Sequence, residues 1–128
     1  MVIFGDGEQT RDFTFVSDTV AGILAAGLSE VAVGQTINLG NGKEITITRL
    51  ATMIAEALAR PNAEITYAEC HPGDVVRLLF DSSKARSLFG FKTTVSLRDG
   101  LAFLRDWYST QQKSPEELFE EEVLLVVA

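Results

Sequence analysis

Short strand patterns alternate with helix patterns along most of this chain, and glycine, asparagine or proline separates them. Strands are predicted at Asp12 to Val16, at Thr36 to Leu39 and at Ile65 to Ala68. Strands that alternate with helices favour an α/β or α+β fold. Because these strands are few and short, we expect small sheets and about four helices within one compact unit.

The first two helices are predicted from polar caps followed by apolar stripes. Ser17 and Asp18 are expected to cap the first helix and Thr46 the second, because side-chain oxygens accept free backbone N–H groups at helix starts. Apolar residues then recur every three or four positions, so each helix is expected to bury one face. The stripes are Val20, Ile23, Leu24, Gly27 and Leu28, then Leu50, Met53, Ile54, Ala57 and Leu58.

Two further helices have signals at their ends. Asp81 is expected to cap a short helix that runs through Phe89 and stops at Gly90, where glycine accepts a left-handed conformation. Ser96 and Asp99 have the spacing of a capping box at the start of the last helix. The expected core face of that helix is Leu97, Leu101, Leu104 and Tyr108.

Composition excludes several classes of function. A net charge of -7 argues against a nucleic-acid partner, because such proteins present basic surfaces to phosphates. Cys70 is the single cysteine and cannot form an internal disulfide. The sequence shows neither a signal-peptide pattern nor a membrane-spanning apolar run, so we expect a cytoplasmic protein with no membrane association.

The sequence changes character after Lys113. Residues 114–128 read SPEELFEEEVLLVVA, an acidic stretch followed by six apolar residues. We expect this tail to be extended or exchanged between copies. Its glutamates fit a solvated helical face better than a metal site, because no turn brings the carboxylates together.

Four segments resemble one family in both order and spacing. They are VIFGDGEQTRDFTFVSD from Val2, TINLGNG from Thr36, HPGDVVRLLFDSSKARSLFGF from His71 and VSLRDGLAFLRDWY from Val95. Together they are similar to the carboxyl-terminal portion of extended short-chain dehydrogenases, such as UDP-glucose 4-epimerases and dTDP-glucose dehydratases. The resemblance implies that residues 1–113 form the substrate-binding lobe plus an edge element of that fold.

Intact members of this family also use a glycine-rich NAD loop and a tyrosine followed four positions later by a lysine. Here His71 follows Tyr67 at that spacing, and Gln112 follows Tyr108. The pairs Gly5–Gly7 and Gly40–Gly42 lack the third glycine of the dinucleotide fingerprint. We therefore expect no catalytic residue and no bound cofactor in this chain, and the resemblance implies NAD for the parent enzyme.

The resemblance implies that Arg11 grips the diphosphate of a nucleotide-sugar and that Asp74 accepts hydrogen bonds from its ribose hydroxyls. A guanidinium fork suits phosphate oxygens, and an ionised carboxylate suits hydroxyl donors. The alternative for Arg11 is a surface ion pair with Asp6, Glu8 or Asp12. The alternative for Asp74 is a contact that stabilises its own turn.

Three other residues join this site by resemblance. His71 stands where many family members have an arginine that faces the phosphates, although a lone loop histidine is also consistent with simple solvation. Arg77 either supplies a second cation or points away on the opposite strand face. Phe4 borders the nucleotide base or belongs to a core strand.

Two functions remain open at this stage. The chain is either the nucleotide-sugar-binding portion of an NAD-dependent epimerase or dehydratase, inactive by itself, or a stand-alone dimeric binding or assembly module from a truncated gene. In both cases surfaces that the NAD-binding half would cover are expected to be exposed, which favours a homodimer.

Overall fold

A computed structural model describes residues 1–111, 114 and 117. The helices in this part of the chain are α1 (Val16–Gly27), α2 (Ile47–Ala57), α3 (Ser83–Phe89) and α4 (Leu97–Thr110), with a 3-10 turn at Glu30–Ala32. The strands are β1 (Val2–Phe4), β2 (Thr10–Asp12), β3 (Glu44–Thr46), β4 (Thr66–Ala68) and β5 (Arg77–Leu78). The predicted α/β class with short strands and about four helices is confirmed. The tail predicted for residues 114–128 lies outside the described residues except at Ser114 and Glu117.

The strands form two small sheets. β1 pairs in parallel with β4. β2 lies between β3, which is antiparallel to it, and β5, which is parallel to it. In the second sheet Thr10 is the partner of Arg77, and Arg11 is the partner of Leu78. Because consecutive strand residues point to opposite faces, Arg11 and Arg77 lie on opposite faces of this sheet.

Two of the strand predictions need correction. The strand expected from Asp12 to Val16 ends at Asp12, and the next residues leave the sheet so that Phe15 packs on α4. There its ring lies 5.7 Å from that of Phe103 and closely approaches Gly100. The segment Thr36 to Leu39 is not a strand, because no described strand pairs with it.

Helix α1 differs from its prediction both in its cap and in its buried face. Its N-cap is Phe15, which makes no side-chain cap bond. The buried residues are Asp18 and Gly22, whereas the predicted stripe from Val20 to Leu28 is largely exposed. Gly22 is required by close packing, since a Cβ there would lie 2.7 Å from the Phe91 ring.

The signals at the other helix ends are confirmed in three places. The hydroxyl oxygens of Thr46 and Ser96 accept the backbone N–H groups of Arg49 and Asp99, at 3.2 and 3.1 Å respectively. Gly90 follows α3 with a φ of 71°. Local capping chemistry therefore sets these boundaries.

The described chain buries few apolar side chains, and these lie on β1, α2 and α3 or just after α3. Helix α2 packs against α4. On α4, Leu104 and Tyr108 are about half exposed, which departs from the predicted core face. None of the described helices is long and apolar enough to cross a membrane. The buried apolar residues are Ile3, Ala51, Ala55, Ala85 and Phe91.

Candidate functional site

A cavity of about 470 Å³ opens where β1 ends and the loop before β5 passes over it. This loop, residues 71–76, turns at Gly73, whose φ is 83°, and the Asp74 amide donates to the His71 carbonyl at 3.2 Å. The turn places His71 and Asp74 on the same cavity. The residues that line it are Phe4, Gly5, Asp6, Glu8, Gln9, Cys70, His71, Pro72, Gly73, Asp74, Val75 and Val76.

An ion pair joins the loop to β2. Nη2 of Arg11 donates to the Asp74 carboxylate at 2.6 Å, and Nη1 donates to the carbonyl oxygens of Thr10 and Val75 at 2.8 and 2.6 Å. The side chains of Arg11 and Asp74 are 22% and 34% exposed, so solvent reaches both. Arg11 therefore fixes the position of the loop while its charged group stays accessible from outside.

The ion pairs considered for Arg11 from the sequence do not form among the described residues. Asp6 accepts the backbone N–H of Glu8 at 2.9 Å. One carboxylate oxygen of Asp12 accepts the amides of Gly42 and Phe80 at 2.8 and 3.3 Å. Arg11 pairs instead with a carboxylate 63 positions away in the chain, a partner that sequence spacing does not indicate.

Two aromatic side chains form one wall of the cavity. The rings of Phe4 and His71 lie 4.3 Å apart between centroids and are tilted by 34°. Both side chains are exposed, and Phe4 retains 43% of its accessible surface. An exposed aromatic pair offers a flat face to a planar group, and the imidazole adds a polar edge beside it.

Arg77 belongs to a separate cluster on the other face of the sheet. Its Nε and Nη2 atoms each donate to the Glu44 carboxylate at 2.8 Å, and the Thr10 hydroxyl donates to the same carboxylate at 2.9 Å. The hydrogen bond from Arg77 holds the pKa of Glu44 below its ordinary value. The structure therefore brings Phe4, Arg11, His71 and Asp74 together and leaves Arg77 apart. Glu44, which sequence reasoning missed, is the group that holds Arg77 there.

The glycine pairs do not fit an NAD pyrophosphate site. Such a site needs a glycine-rich turn that opens a helix. Here Gly5 and Gly7 lead into β2, and Gly40 and Gly42 lead into β3. Gly7 has a φ of 79° and closely approaches Thr48. This packing leaves no room for a side chain, so the glycine is explained without a nucleotide. Within residues 1–111, 114 and 117, no group of three His, Cys, Asp or Glu side chains is placed to hold a metal ion.

Two sequence comparisons relate this chain to nucleotide-sugar epimerases and dehydratases. The sequence profile of the GDP-mannose 4,6 dehydratase family matches residues 1–103. A UDP-glucose 4-epimerase of Mycolicibacterium smegmatis is 39% identical over 103 residues, which cover 78% of this chain and 31% of that protein.

Solved structures show the same fold. The UDP-glucose 4-epimerase of Thermotoga maritima, solved with UDP-glucose, superposes with a TM-score of 0.82 and 29% identity, covering 88% of this chain and 36% of that one. The UDP-glucuronic acid 4-epimerase of Bacillus cereus, in complex with UDP-glucuronic acid and NAD, gives 0.78 and 34%, covering 84% and 34% of the two chains.

The fold and these matches define the class of protein. The chain belongs to the NAD-dependent epimerase/dehydratase family of extended short-chain dehydrogenases, and the resemblance inferred from its motifs is confirmed. It spans about a third of the length of the relatives that it matches.

Proposed function

We propose that this chain is the nucleotide-sugar-binding portion of an NAD-dependent sugar epimerase or dehydratase. The observation that carries the proposal is a cavity of about 470 Å³ lined by a carboxylate, Asp74, and an aromatic pair, Phe4 and His71, with the Arg11 cation beside it on Asp74. A nucleotide diphosphate presents the three complementary groups: phosphate oxygens, ribose hydroxyls and a planar base. The UDP-sugars named in the structures of its relatives support this class of ligand.

The family resemblance assigns each side chain a role, and its chemistry suits that role. The Arg11 guanidinium donates to the diphosphate, and Asp74 accepts from the ribose hydroxyls. Phe4 packs along the base, and His71 places a ring N–H toward the phosphates or the sugar. Arg77 acts indirectly in this proposal, because its bidentate pair with Glu44 joins β5 to β3 across β2.

The redox step belongs to the parent enzyme. The described residues hold no glycine turn that fits NAD, and neither Tyr67 nor Tyr108 has a lysine four positions later. The parent's NAD-binding portion supplies that chemistry, in the reducing cytoplasm where the exposed Cys70 stays a free thiol. In this arrangement the present chain binds the nucleotide and orients its sugar.

Exposed apolar residues favour an assembly role as a second candidate. On α1, Ile23 and Leu24 are 57% and 61% exposed, and Leu28 at its C-cap is 87% exposed. Apolar surface of this kind usually marks an interface. It fits a contact with the NAD-binding portion of the parent, or a homodimer if the chain functions alone.

Calorimetric titration with UDP tests the binding role. Arg11→Ala should weaken UDP binding by about 10- to 150-fold, because a charge-assisted hydrogen bond is worth about 1.5–3 kcal/mol. Added salt should weaken binding to the wild-type chain in the same direction. The matched control is Arg60→Ala, which removes the same charge from an exposed site after α2.

Two results would contradict the proposal. One is a wild-type chain that fails to bind UDP and GDP. The other is equal loss of affinity in the Arg11 and Arg60 variants, because a general charge effect would then explain the binding. Sedimentation of the chain without ligand gives its mass in solution and so tests separately whether it forms a homodimer.

A further inference from the structure

The Arg11–Asp74 ion pair joins the two charged groups that bind different parts of the nucleotide in the proposed function. The Asp74 carboxylate lies 2.6 Å from Nη2 of Arg11, at the distance that a phosphate oxygen would take. A bound phosphate beside this carboxylate would also meet like-charge repulsion. The diphosphate and Asp74 therefore compete for the same N–H donor.

Arg11 itself is held in place by the backbone. Its Nη1 atom donates to the carbonyls of Thr10 and Val75, one in β2 and one in the loop. These bonds do not involve the Asp74 side chain and can persist when that side chain turns away. The exchange therefore requires rotation of one short side chain rather than opening of the loop.

We infer that Asp74 is an internal counter-ion that the ligand's phosphate displaces from Arg11, and that this exchange selects nucleotides over free inorganic phosphates. The inference rests on the proposed function of the site. A nucleotide offers ribose hydroxyls to the displaced carboxylate, so the lost ion pair is replaced by new hydrogen bonds. Inorganic pyrophosphate carries the charge but no hydroxyl of this kind, and it leaves the displaced carboxylate without compensation.

The contact is suited to this exchange because it is only partly shielded. An ion pair whose members are 22% and 34% exposed is worth about 1 kcal/mol. That value is small enough for a ligand to overcome. It is also large enough to change the relative affinity of two ligands by about fivefold.

The test compares inorganic pyrophosphate and UDP on the wild-type chain and on Asp74→Asn, by calorimetry at fixed ionic strength. Asparagine keeps the side-chain shape and removes the counter-ion. Pyrophosphate should bind the variant about fivefold more tightly than the wild type. UDP should gain less, because asparagine is a weaker acceptor for the ribose hydroxyls, so the preference for UDP should fall.

Two further variants complete the design. Asp106→Asn removes the same charge from an exposed position on α4 and should leave both affinities unchanged. Adding Arg11→Ala to Asp74→Asn should abolish the gain for pyrophosphate. Asp74→Ser provides an independent replacement, and thermal melting confirms that each variant folds.

The outcomes separate the two proposals. If wild-type chain binds UDP but pyrophosphate binds Asp74→Asn no more tightly than wild type, the exchange is overturned and the proposed function stands. If wild-type chain does not bind UDP while pyrophosphate affinity rises in the variant, the proposed function and the selection of nucleotides fail, and only the displacement of Asp74 from Arg11 by phosphate stands. If pyrophosphate binds neither the wild-type chain nor Asp74→Asn, the exchange is overturned.

Discussion

Helices α1 and α2 have similar apolar stripes in the sequence but different surroundings in the structure. Helix α2 packs against α4, and its predicted stripe is half-buried except at the exposed Leu58. Its buried residues, Ala51 and Ala55, lie beside that stripe. Helix α1 buries Asp18 and Gly22 instead, and Leu24 and Leu28 on its stripe are 61% and 87% exposed. A periodic stripe identifies the face that needs cover, whereas the cover itself depends on which other elements are present.

The comparison separates two ways of holding a helix in place. Apolar contact with a neighbouring helix holds α2, and its first turn is capped by Thr46. Helix α1 is held largely by hydrogen bonds to a buried carboxylate. Asp18 accepts the amides of Thr94 and Val95 at 3.0 and 3.1 Å and the Thr94 hydroxyl at 2.7 Å. Stability should therefore respond differently to equivalent changes in the two helices.

The largest effect is expected from a charge placed in the face that α2 buries. Ala55 is 3% exposed, so Ala55→Glu buries an unpaired carboxylate and should lower the free energy of unfolding by about 3 kcal/mol or more. Leu24→Glu on α1 should change it by about 0.5 kcal/mol or less, because that position is exposed. Urea unfolding followed by circular dichroism measures both. Similar losses would mean that the α1 stripe is covered in solution.

An intermediate effect is expected at Asp18. Asp18→Ala leaves two backbone N–H groups without their acceptor and should cost about 2–3 kcal/mol in the free energy of unfolding. The same urea experiment measures it. A loss below about 0.5 kcal/mol would show that the 94–95 loop does not hold α1.

Asp18 should also make stability depend on pH. Burial opposes its charged form, but the hydrogen bonds from Thr94 and Val95 prevail and lower its pKa below the ordinary 3.8. A carboxyl whose pKa falls on folding contributes its full stabilisation above pH 3.8, and the contribution is lost as the pH falls through the lowered value. Asp18→Asn should remove this component from the acid unfolding curve, and an unchanged curve would contradict the assignment.

The smallest effect is expected at the helix caps. Thr46→Ala removes the side-chain acceptor for the Arg49 amide and should cost about 1 kcal/mol. Ser17→Ala should change stability by about 0.5 kcal/mol or less, because Ser17 is exposed and Phe15 holds the N-cap position of α1. Thermal unfolding of the two variants gives the comparison. Equal shifts in the unfolding temperature of the two variants would show that Ser17 caps α1 after all.

Features that depend on near neighbours in the chain could be predicted from the sequence. Thr46, Gly90 and Ser96 act within one helical turn, so their residue types indicate their conformations. The strand expected at Thr36 to Leu39 failed because a strand needs a neighbour, and its own residues do not say whether one is present. Asp18 was predicted as a cap, yet its partner Thr94 lies 76 positions away.

The candidate site shows the same division. Family resemblance selected Phe4, Arg11, His71 and Asp74, and the structure places these four residues around one cavity or beside it. It also selected Arg77, which alternation along β5 directs to the other face. The contact between Arg11 and Asp74 was not predicted, because it depends on how the 71–76 loop closes over β2. Residue types indicate what a group is able to bind, whereas the fold determines which neighbour it meets first.

The central position of β2 also bears on the order of folding. Its contacts are distant in the chain: the bond from Thr10 to Glu44 spans 34 residues, and that from Phe80 to Asp12 spans 68. Closing such loops costs entropy before the contacts repay it, and topologies rich in distant contacts fold slowly. We expect the helices to form early and the sheet that carries Arg11 to assemble late. The proposed nucleotide site would then be complete only as folding reaches its end.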